Sequence, residues 1–220
     1  MWRYGVTLAD AGWLAVAVDL RGHGLAPRTL DYSIPAYAAD LAETLPEDGG
    51  AWDLVVGHSL GGAAVTSTAA AHPSWARQLV LIDPAIHLSD HDRDVVRNSQ
   101  EAAFADPTIA AVRREHPNWH PQDIELKALS AQQASAWAVE QTSIQNPEWD
   151  VRADAARLTV PTHIIGSDPH VYSIFKDPLA REVLTANPLL TMSVIPDAGH
   201  SPHRDRPEAT MADFLTRIPA

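Results

Sequence analysis

The chain contains no cysteine. This absence excludes disulfides, thiolate metal sites and a cysteine nucleophile. Long apolar runs are also absent: the longest, Trp13–Val18, ends at Asp19, whereas a membrane span needs roughly 18 residues. No basic stretch followed by an apolar one opens the sequence, so no export signal is visible. We therefore expect a cytoplasmic protein that does not associate with membranes.

Positive charge is scarce as well. The chain has 16 basic and 28 acidic residues and a formal net charge of −12. Because such a chain repels phosphate backbones, nucleic acid is not an expected partner. The hydrophobic fraction of 45% and the charged fraction of 20% are ordinary for a globular protein. A small-molecule substrate remains the expected partner.

Five short apolar runs alternate with helical stretches along the chain. Runs of this kind are typical of strands buried on both faces of a parallel sheet. Their order predicts an α/β fold with a mostly parallel sheet flanked by helices. The five predicted strands cover residues 13–20, 53–57, 79–82, 162–166 and 190–195.

Helices are predicted between these strands from residues that favour the start or the end of a helix. Residues 33–45 carry Pro35 near the start, and the Ala-rich stretch 59–71 stops before Pro73. The sequence Asp205-Arg-Pro-Glu208 has the form of a helix cap with proline in the first turn, so it predicts a last helix.

Residues 86–158 interrupt the alternation because they contain no convincing strand. Several X-Pro pairs in this stretch read as helix starts, since proline is tolerated in the first turn. We therefore predict an α/β core over residues 1–85 and 159–220, with 86–158 inserted as a helical cap. Four aromatic residues of the cap are expected to pack it onto the sheet, and one or two of them to line a pocket: Phe104, Trp119, Trp137 and Trp149.

One short motif indicates a catalytic site. The sequence Gly57-His-Ser-Leu-Gly61 follows a predicted strand and opens a predicted helix. A sharp strand-to-helix turn exposes its central serine, and glycines at 57 and 61 would avoid clashes on either side. Ser59 is therefore the candidate nucleophile. The backbone N–H of Leu60, at the helix N-terminus, is a candidate oxyanion donor.

Together with three other segments, this motif resembles the α/β-hydrolase fold family, over nearly the whole chain. Asp19-Leu-Arg-Gly-His-Gly24 is similar to the loop after an early strand of that family. Val56–Gly62 is similar to its nucleophile elbow, Pro161–Asp168 to the strand that delivers the catalytic acid, and Ala198-Gly-His200 to the loop that delivers the base. The resemblance implies a serine hydrolase that needs no cofactor and no metal.

The resemblance implies that His200 is the base, because the family order is serine, acid, histidine. His203 is the nearest rival but lies toward the start of the last helix. His58 flanks the nucleophile, and the bend should turn its side chain away from the site. His23 is expected to organise its own loop.

Two carboxylates compete for the role of the acid that orients His200. Asp168 follows the fourth apolar run, where the family usually places its acid, and chain order favours it. The spacing departs from the family, because only Ser167 separates Gly166 from Asp168. Asp83 also ends a strand, and some members take the acid from there. We predict Asp168, with Asp83 as the alternative.

His87 and His91 are four residues apart among several aspartates. This spacing can place two imidazoles on one helical face, as metal ligands require. The surrounding pattern matches no known metal site, so we interpret these residues as a solvated surface of the cap.

The resemblance begins part-way into the family pattern. Members normally carry three strands and a His-Gly-type loop before the point that Trp2–Asp10 resembles, and that loop supplies a second oxyanion N–H. We therefore expect this sequence to lack those strands and the loop, through truncation or rearrangement.

These observations predict a carboxylesterase-like serine hydrolase with Ser59, Asp168 and His200 as its triad. Amide hydrolysis, C–C bond hydrolysis and cofactor-free haloperoxidase activity remain open alternatives within the same fold. A different class of function is a catalytically silent binder of a small ligand. The complete serine, acid and histidine set argues against that class, whereas the missing loop argues for it.

Overall fold

The computed structural model describes residues 1–218 and contains one parallel four-stranded sheet. The strands lie side by side in chain order, and each neighbouring pair is parallel. The strands are β1 (Val55–His58), β2 (Leu79–Ile82), β3 (Thr162–Ser167) and β4 (Leu190–Ile195). The predicted α/β class is confirmed, as are four of the five predicted strands.

The sheet is buried on both faces, and its central strands β2 and β3 are buried at every position. In β2, Leu79 and Leu81 pack into one hydrophobic cluster, whereas Val80 and Ile82 pack into a second cluster on the opposite face. Successive side chains of a strand point to opposite faces, so the continuous apolar run supplies both layers.

Helices cover the two faces. The larger cluster includes side chains of the helices Ile34–Ala42, Leu60–Ala71, Arg152–Arg157 and Leu179–Ala186. The smaller cluster joins the first helix, through Tyr4, to the last helix, through Phe214. Within residues 1–218, no helix is both long and apolar enough to cross a membrane. The helices are α1 (Trp2–Asp10), α2 (Ile34–Ala42), α3 (Leu60–Ala71), α4 (Asp90–Ala105), α5 (Ile109–Glu115), α6 (Pro121–Gln133), α7 (Ala136–Ile144), α8 (Arg152–Arg157), α9 (Leu179–Ala186), α10 (Pro202–Asp205) and α11 (Pro207–Leu215).

The strand predicted over residues 13–20 is wrong. This segment belongs to no ladder, and residues 14–19 form no backbone hydrogen bond with the described part of the chain. Leu14 is 83% exposed and Val16 is 58% exposed. The apolar pattern predicts a buried strand, but a strand also needs a neighbour that accepts its hydrogen bonds.

Five helices, α4 to α8, lie between β2 and β3. Within residues 1–218, this stretch has no strand ladder; its one bridge pairs His87 with Asp150. Pro121 begins α6, as expected for proline in a first turn. The division of the chain into a core and a cap stays a prediction.

The cap predicted for the last helix is wrong in detail. Arg206 is the N-cap of α11 and forms no side-chain capping bond. The Asp205 carboxylate instead accepts hydrogen bonds from the Gly199 N–H at 2.8 Å and the Trp119 Nε1–H at 2.7 Å. Asp205 therefore connects the loop after β4 to the segment between α5 and α6, which carries Trp119.

Candidate active site

Ser59 lies at a sharp turn between β1 and α3. Its φ of +52° and ψ of −119° are a conformation that a non-glycine residue rarely adopts, at a cost of roughly 1–3 kcal/mol. The surrounding backbone holds this strained conformation: the Ser59 N–H donates to the carbonyl of Ile82, and its own carbonyl accepts from Ala63 and Ala85.

Two glycines permit the close packing around this turn. A Cβ atom on Gly57 would lie 2.7 Å from the carbonyl oxygen of Gly61, and one on Gly62 would lie 2.6 Å from Cβ of Pro84. A Cβ atom on Gly61 would meet nothing within 4 Å. The steric requirement thus falls on positions 57 and 62, and the expectation for Gly61 is wrong.

Ser59 and His200 are in hydrogen-bonding contact. The Ser59 Oγ lies 2.9 Å from the His200 Nε2, which suits donation of the hydroxyl proton to a neutral imidazole. The Leu60 N–H, at the N-terminus of α3, donates to no acceptor in residues 1–218. It is therefore available to an oxyanion formed next to Ser59.

The carboxylate beside His200 is that of Asp83. The His200 Nδ1–H donates to Asp83 Oδ2 at 2.7 Å, on the side of the ring away from Ser59. We expected Asp168 at this place, and that expectation is wrong. β2 lies between β1 and β3, so its carboxyl end is adjacent to the turn that carries Ser59.

Asp83 is fully buried, and the segment after β3 supplies its other donors. Ser173 Oγ–H donates to it at 2.6 Å, and the N–H groups of Ile174 and Phe175 donate at 3.2 and 3.3 Å. Burial opposes the charged form, but the bonds from His200, Ser173 and Ile174 prevail and hold the Asp83 pKa below its ordinary value. The carboxylate is therefore ionised at neutral pH.

Asp168 has a local role at the end of β3. Its carboxylate accepts hydrogen bonds from the N–H groups of His170 and Asp197, both at 2.9 Å, and these bonds lower its pKa. The short spacing between Gly166 and Asp168 was the one feature of the sequence that argued against Asp168 as the acid. The contribution of Ser173 had no signal in the sequence, since it depends on how residues 169–175 fold back under Asp83.

Two further histidines lie behind His200. The His58 Nε2–H donates to the His200 carbonyl oxygen at 2.7 Å, which agrees with a side chain turned away from Ser59. Burial and the nearby His200 lower the pKa of His58 to about 3. His203 packs against His58 and Tyr4, and neither of its ring nitrogens has a partner in residues 1–218.

Acid should destabilise the fold through His203. The residue is 1% exposed, and burial lowers its pKa well below the ordinary value. Between the two pKa values the unfolded chain binds more protons than the folded chain, so the free energy of unfolding falls as the pH decreases. The loss is about 1.4 kcal/mol for each pH unit below the unfolded-state pKa of about 6.5.

Urea denaturation at about pH 7.5 and about pH 5.5 measures this loss. We expect His203→Phe, which retains an aromatic ring without a titrating group, to lose about 1.4 kcal/mol less than the unmodified chain. His91→Gln on the exposed surface of α4 is the control. Equal losses in the unmodified chain and in the His203→Phe variant would contradict the assignment.

A cavity opens above Ser59 between the sheet and the helices of residues 86–158. The space in it that a water-sized sphere can reach is about 70 Å³, which is more than a single water molecule needs. Trp149 lines it and donates its Nε1–H to the carbonyl of Ala85. One of the four aromatic residues singled out in the sequence therefore lines the cavity. Phe104, Trp119 and Trp137 do not line this cavity.

No group of three or more histidine, aspartate or glutamate side chains in residues 1–218 is arranged to hold a metal ion. His87 takes part in the bridge to Asp150, and His91 is exposed on α4.

Comparison with known proteins gives a consistent result. Residues 1–214 match the alpha/beta hydrolase family. The chain is 29% identical to the esterase YbfF of Escherichia coli, over 89% of this chain and 79% of that protein. It is 37% identical to the lipase LipV of Mycobacterium tuberculosis, but only over 53% of this chain and 44% of that lipase.

A solved structure is similar over most of the chain. The crystal structure of E-2-(acetamidomethylene)succinate hydrolase superposes with a TM-score of 0.78 and 25% identity, covering 93% of this chain and 81% of that one.

Proposed function

The chain belongs to the alpha/beta hydrolase family, and we propose that it is a serine hydrolase that cleaves an ester-like bond in a small molecule. The observation that carries this proposal is the continuous contact from the Ser59 Oγ through the His200 imidazole to the Asp83 carboxylate, with distances of 2.9 and 2.7 Å. The relatives named as a lipase, an esterase and a succinate-derivative hydrolase support hydrolysis as the reaction class.

The mechanism starts with Ser59. Its Oγ attacks the substrate carbonyl carbon while His200 Nε2 takes the hydroxyl proton, and the Leu60 N–H stabilises the oxyanion that forms. Asp83 keeps the proton of His200 on Nδ1, so that Nε2 is free to act as the base, and it stabilises the imidazolium.

Collapse of the tetrahedral intermediate releases the alcohol, which takes its proton from the His200 Nε2. The acyl group stays on the Ser59 Oγ. His200 then removes a proton from water, whose oxygen attacks the acyl carbon, and the acid leaves as Ser59 recovers its proton. Each step uses the same imidazole, and no other side chain is required to transfer a proton.

A fluorophosphonate probe tests the proposal, because it reacts only with an activated serine. We expect one covalent adduct, located at Ser59 by peptide mass spectrometry, and a matching loss of 4-nitrophenyl ester hydrolysis. The Ser59→Ala variant should remain unlabelled, whereas Ser99→Ala, on the exposed surface of α4, should label fully. A folded chain that forms no adduct would instead be a silent ligand binder.

A further inference from the structure

The cavity above Ser59 has an uneven distribution of charge. Most of its wall is apolar, with Leu88, Val96, Val139 and Ile174 among the lining residues. Among residues 1–218, no aspartate or glutamate lines it, although the chain carries 28 acidic residues. The lining residues do include a basic one, Arg93.

Arg93 is held in place by the end of α7. Its Nη1–H donates to the carbonyl oxygen of Asn146 at 2.8 Å and its Nη2–H to that of Ser143 at 3.1 Å. These carbonyls lie at the C-terminal end of the helix, which carries partial negative charge and favours a cation. A guanidinium has five N–H donors, so others remain for a ligand.

Arg93 has no carboxylate partner. No Asp or Glu oxygen of residues 1–218 lies within 4.0 Å of its nitrogens. The neighbouring Asp92 is buried and accepts a hydrogen bond from Ser89 Oγ–H at 2.5 Å. Asp83, below the nucleophile, is occupied by His200 and the Ser173 segment. Arg93 therefore lines the cavity without a counter-ion from the described part of the chain.

We propose that Arg93 binds a carboxylate of the substrate, so that the preferred substrates are anionic esters of small carboxylic acids. The planar guanidinium suits a carboxylate because two N–H groups can donate to its two oxygens. The apolar remainder of the wall then contacts the hydrocarbon part of the same molecule. This inference rests on the proposed hydrolase function, and it adds the substrate class.

The selectivity for anionic esters is the quantity to measure. Two matched pairs place the charge on either side of the ester: 4-nitrophenyl hydrogen glutarate with 4-nitrophenyl pentanoate, and 4-acetoxybenzoate with its methyl ester. In at least one pair, we expect kcat/KM to be about 10–100-fold higher for the anion, since hydrogen bonds between charged groups contribute about that factor. Most of the difference should be in KM.

Arg93→Gln should remove this preference, and Arg93→Lys should retain part of it, because lysine keeps the charge without the bidentate geometry. Arg97→Gln is the matched control. It removes the same charge one turn further along α4, where the guanidinium is exposed and pairs with Asp94 at 2.7 Å. An Arg93 that only anchors α4 to α7 would lower kcat/KM for both members of a pair by the same factor.

Equal loss for anionic and neutral esters in Arg93→Gln, or no preference in the unmodified chain for either pair, would overturn the inference. Should Arg93→Gln fail to fold, the Lys variant and the dependence of the preference on ionic strength decide the question.

Calorimetric binding of glutarate to the Ser59→Ala chain separates this inference from the proposed function. Binding that disappears in Ser59→Ala/Arg93→Gln supports the anion site even if no ester is hydrolysed. Hydrolysis and fluorophosphonate labelling without any glutarate binding or anion preference would instead retain the hydrolase and reject the anion site.

Discussion

Replacing Ser59 with alanine is expected to lower kcat for a 4-nitrophenyl ester by about 10⁶, and His200→Ala should lower it by a similar factor. The reason is that the two side chains act as one unit: a serine hydroxyl is a weak nucleophile without the imidazole that takes its proton, and the imidazole has nothing to activate without the serine.

The double variant Ser59→Ala/His200→Ala should therefore be no slower than either single variant. Steady-state kinetics of the three variants, with Ser99→Ala as the control, measures this non-additivity. Undiminished turnover in either single variant would reject the mechanism, and additive losses would show that the two residues act independently.

Asp83→Asn should reduce kcat by about 10⁴. An asparagine can turn its NH₂ group toward His200, so that Nδ1 must accept instead of donate. The proton of the imidazole then sits on Nε2, where it faces Ser59 and prevents His200 from acting as the base. Ser173 and Phe175 would still donate to the remaining oxygen, Oδ1, so the fold should be largely preserved. The Ile174 N–H would lose its acceptor, because it donates to the same oxygen as His200.

Asp168→Asn is the matched control, because it makes the same chemical change at the end of the neighbouring strand. It should cost less than about 10-fold in kcat, since within residues 1–218 its carboxylate accepts hydrogen bonds only from the backbone N–H groups of His170 and Asp197. A larger loss in Asp168→Asn than in Asp83→Asn would restore the assignment made from the sequence and reject the role given to the contact between Asp83 and His200.

Local patterns predicted most of the sheet, and they predicted Ser59 and His200 in the candidate site but not the carboxylate beside His200. Short apolar runs identified β2 and β3, because strands buried on both faces are rich in apolar residues. The G-x-S-x-G motif between a strand and a helix located Ser59, since the sharp turn needs small residues nearby. The choice of His200 among eleven histidines came from its loop and its place in the chain order.

The segment 13–20 shows where such patterns fail. Its alternating valines have the composition of a strand, yet Leu14, Val16 and Val18 are exposed. Apolar composition records a preference for burial, whereas strand formation depends on a hydrogen-bonding partner from elsewhere in the chain. That partner cannot be read from the segment itself.

The sequence by itself determined the α/β class, the strand-to-helix turn that carries Ser59, and the choice of His200 as the histidine that contacts Ser59. Each of these depends on residues close together in the chain or on a repeated pattern. Only the tertiary structure decided which carboxylate orients His200. Asp83 and Asp168 both end parallel strands at the same edge of the sheet, so local pattern does not separate them. The strand order places Asp83 next to the Ser59 turn, and Ser173, from 90 residues further along, completes its hydrogen bonds.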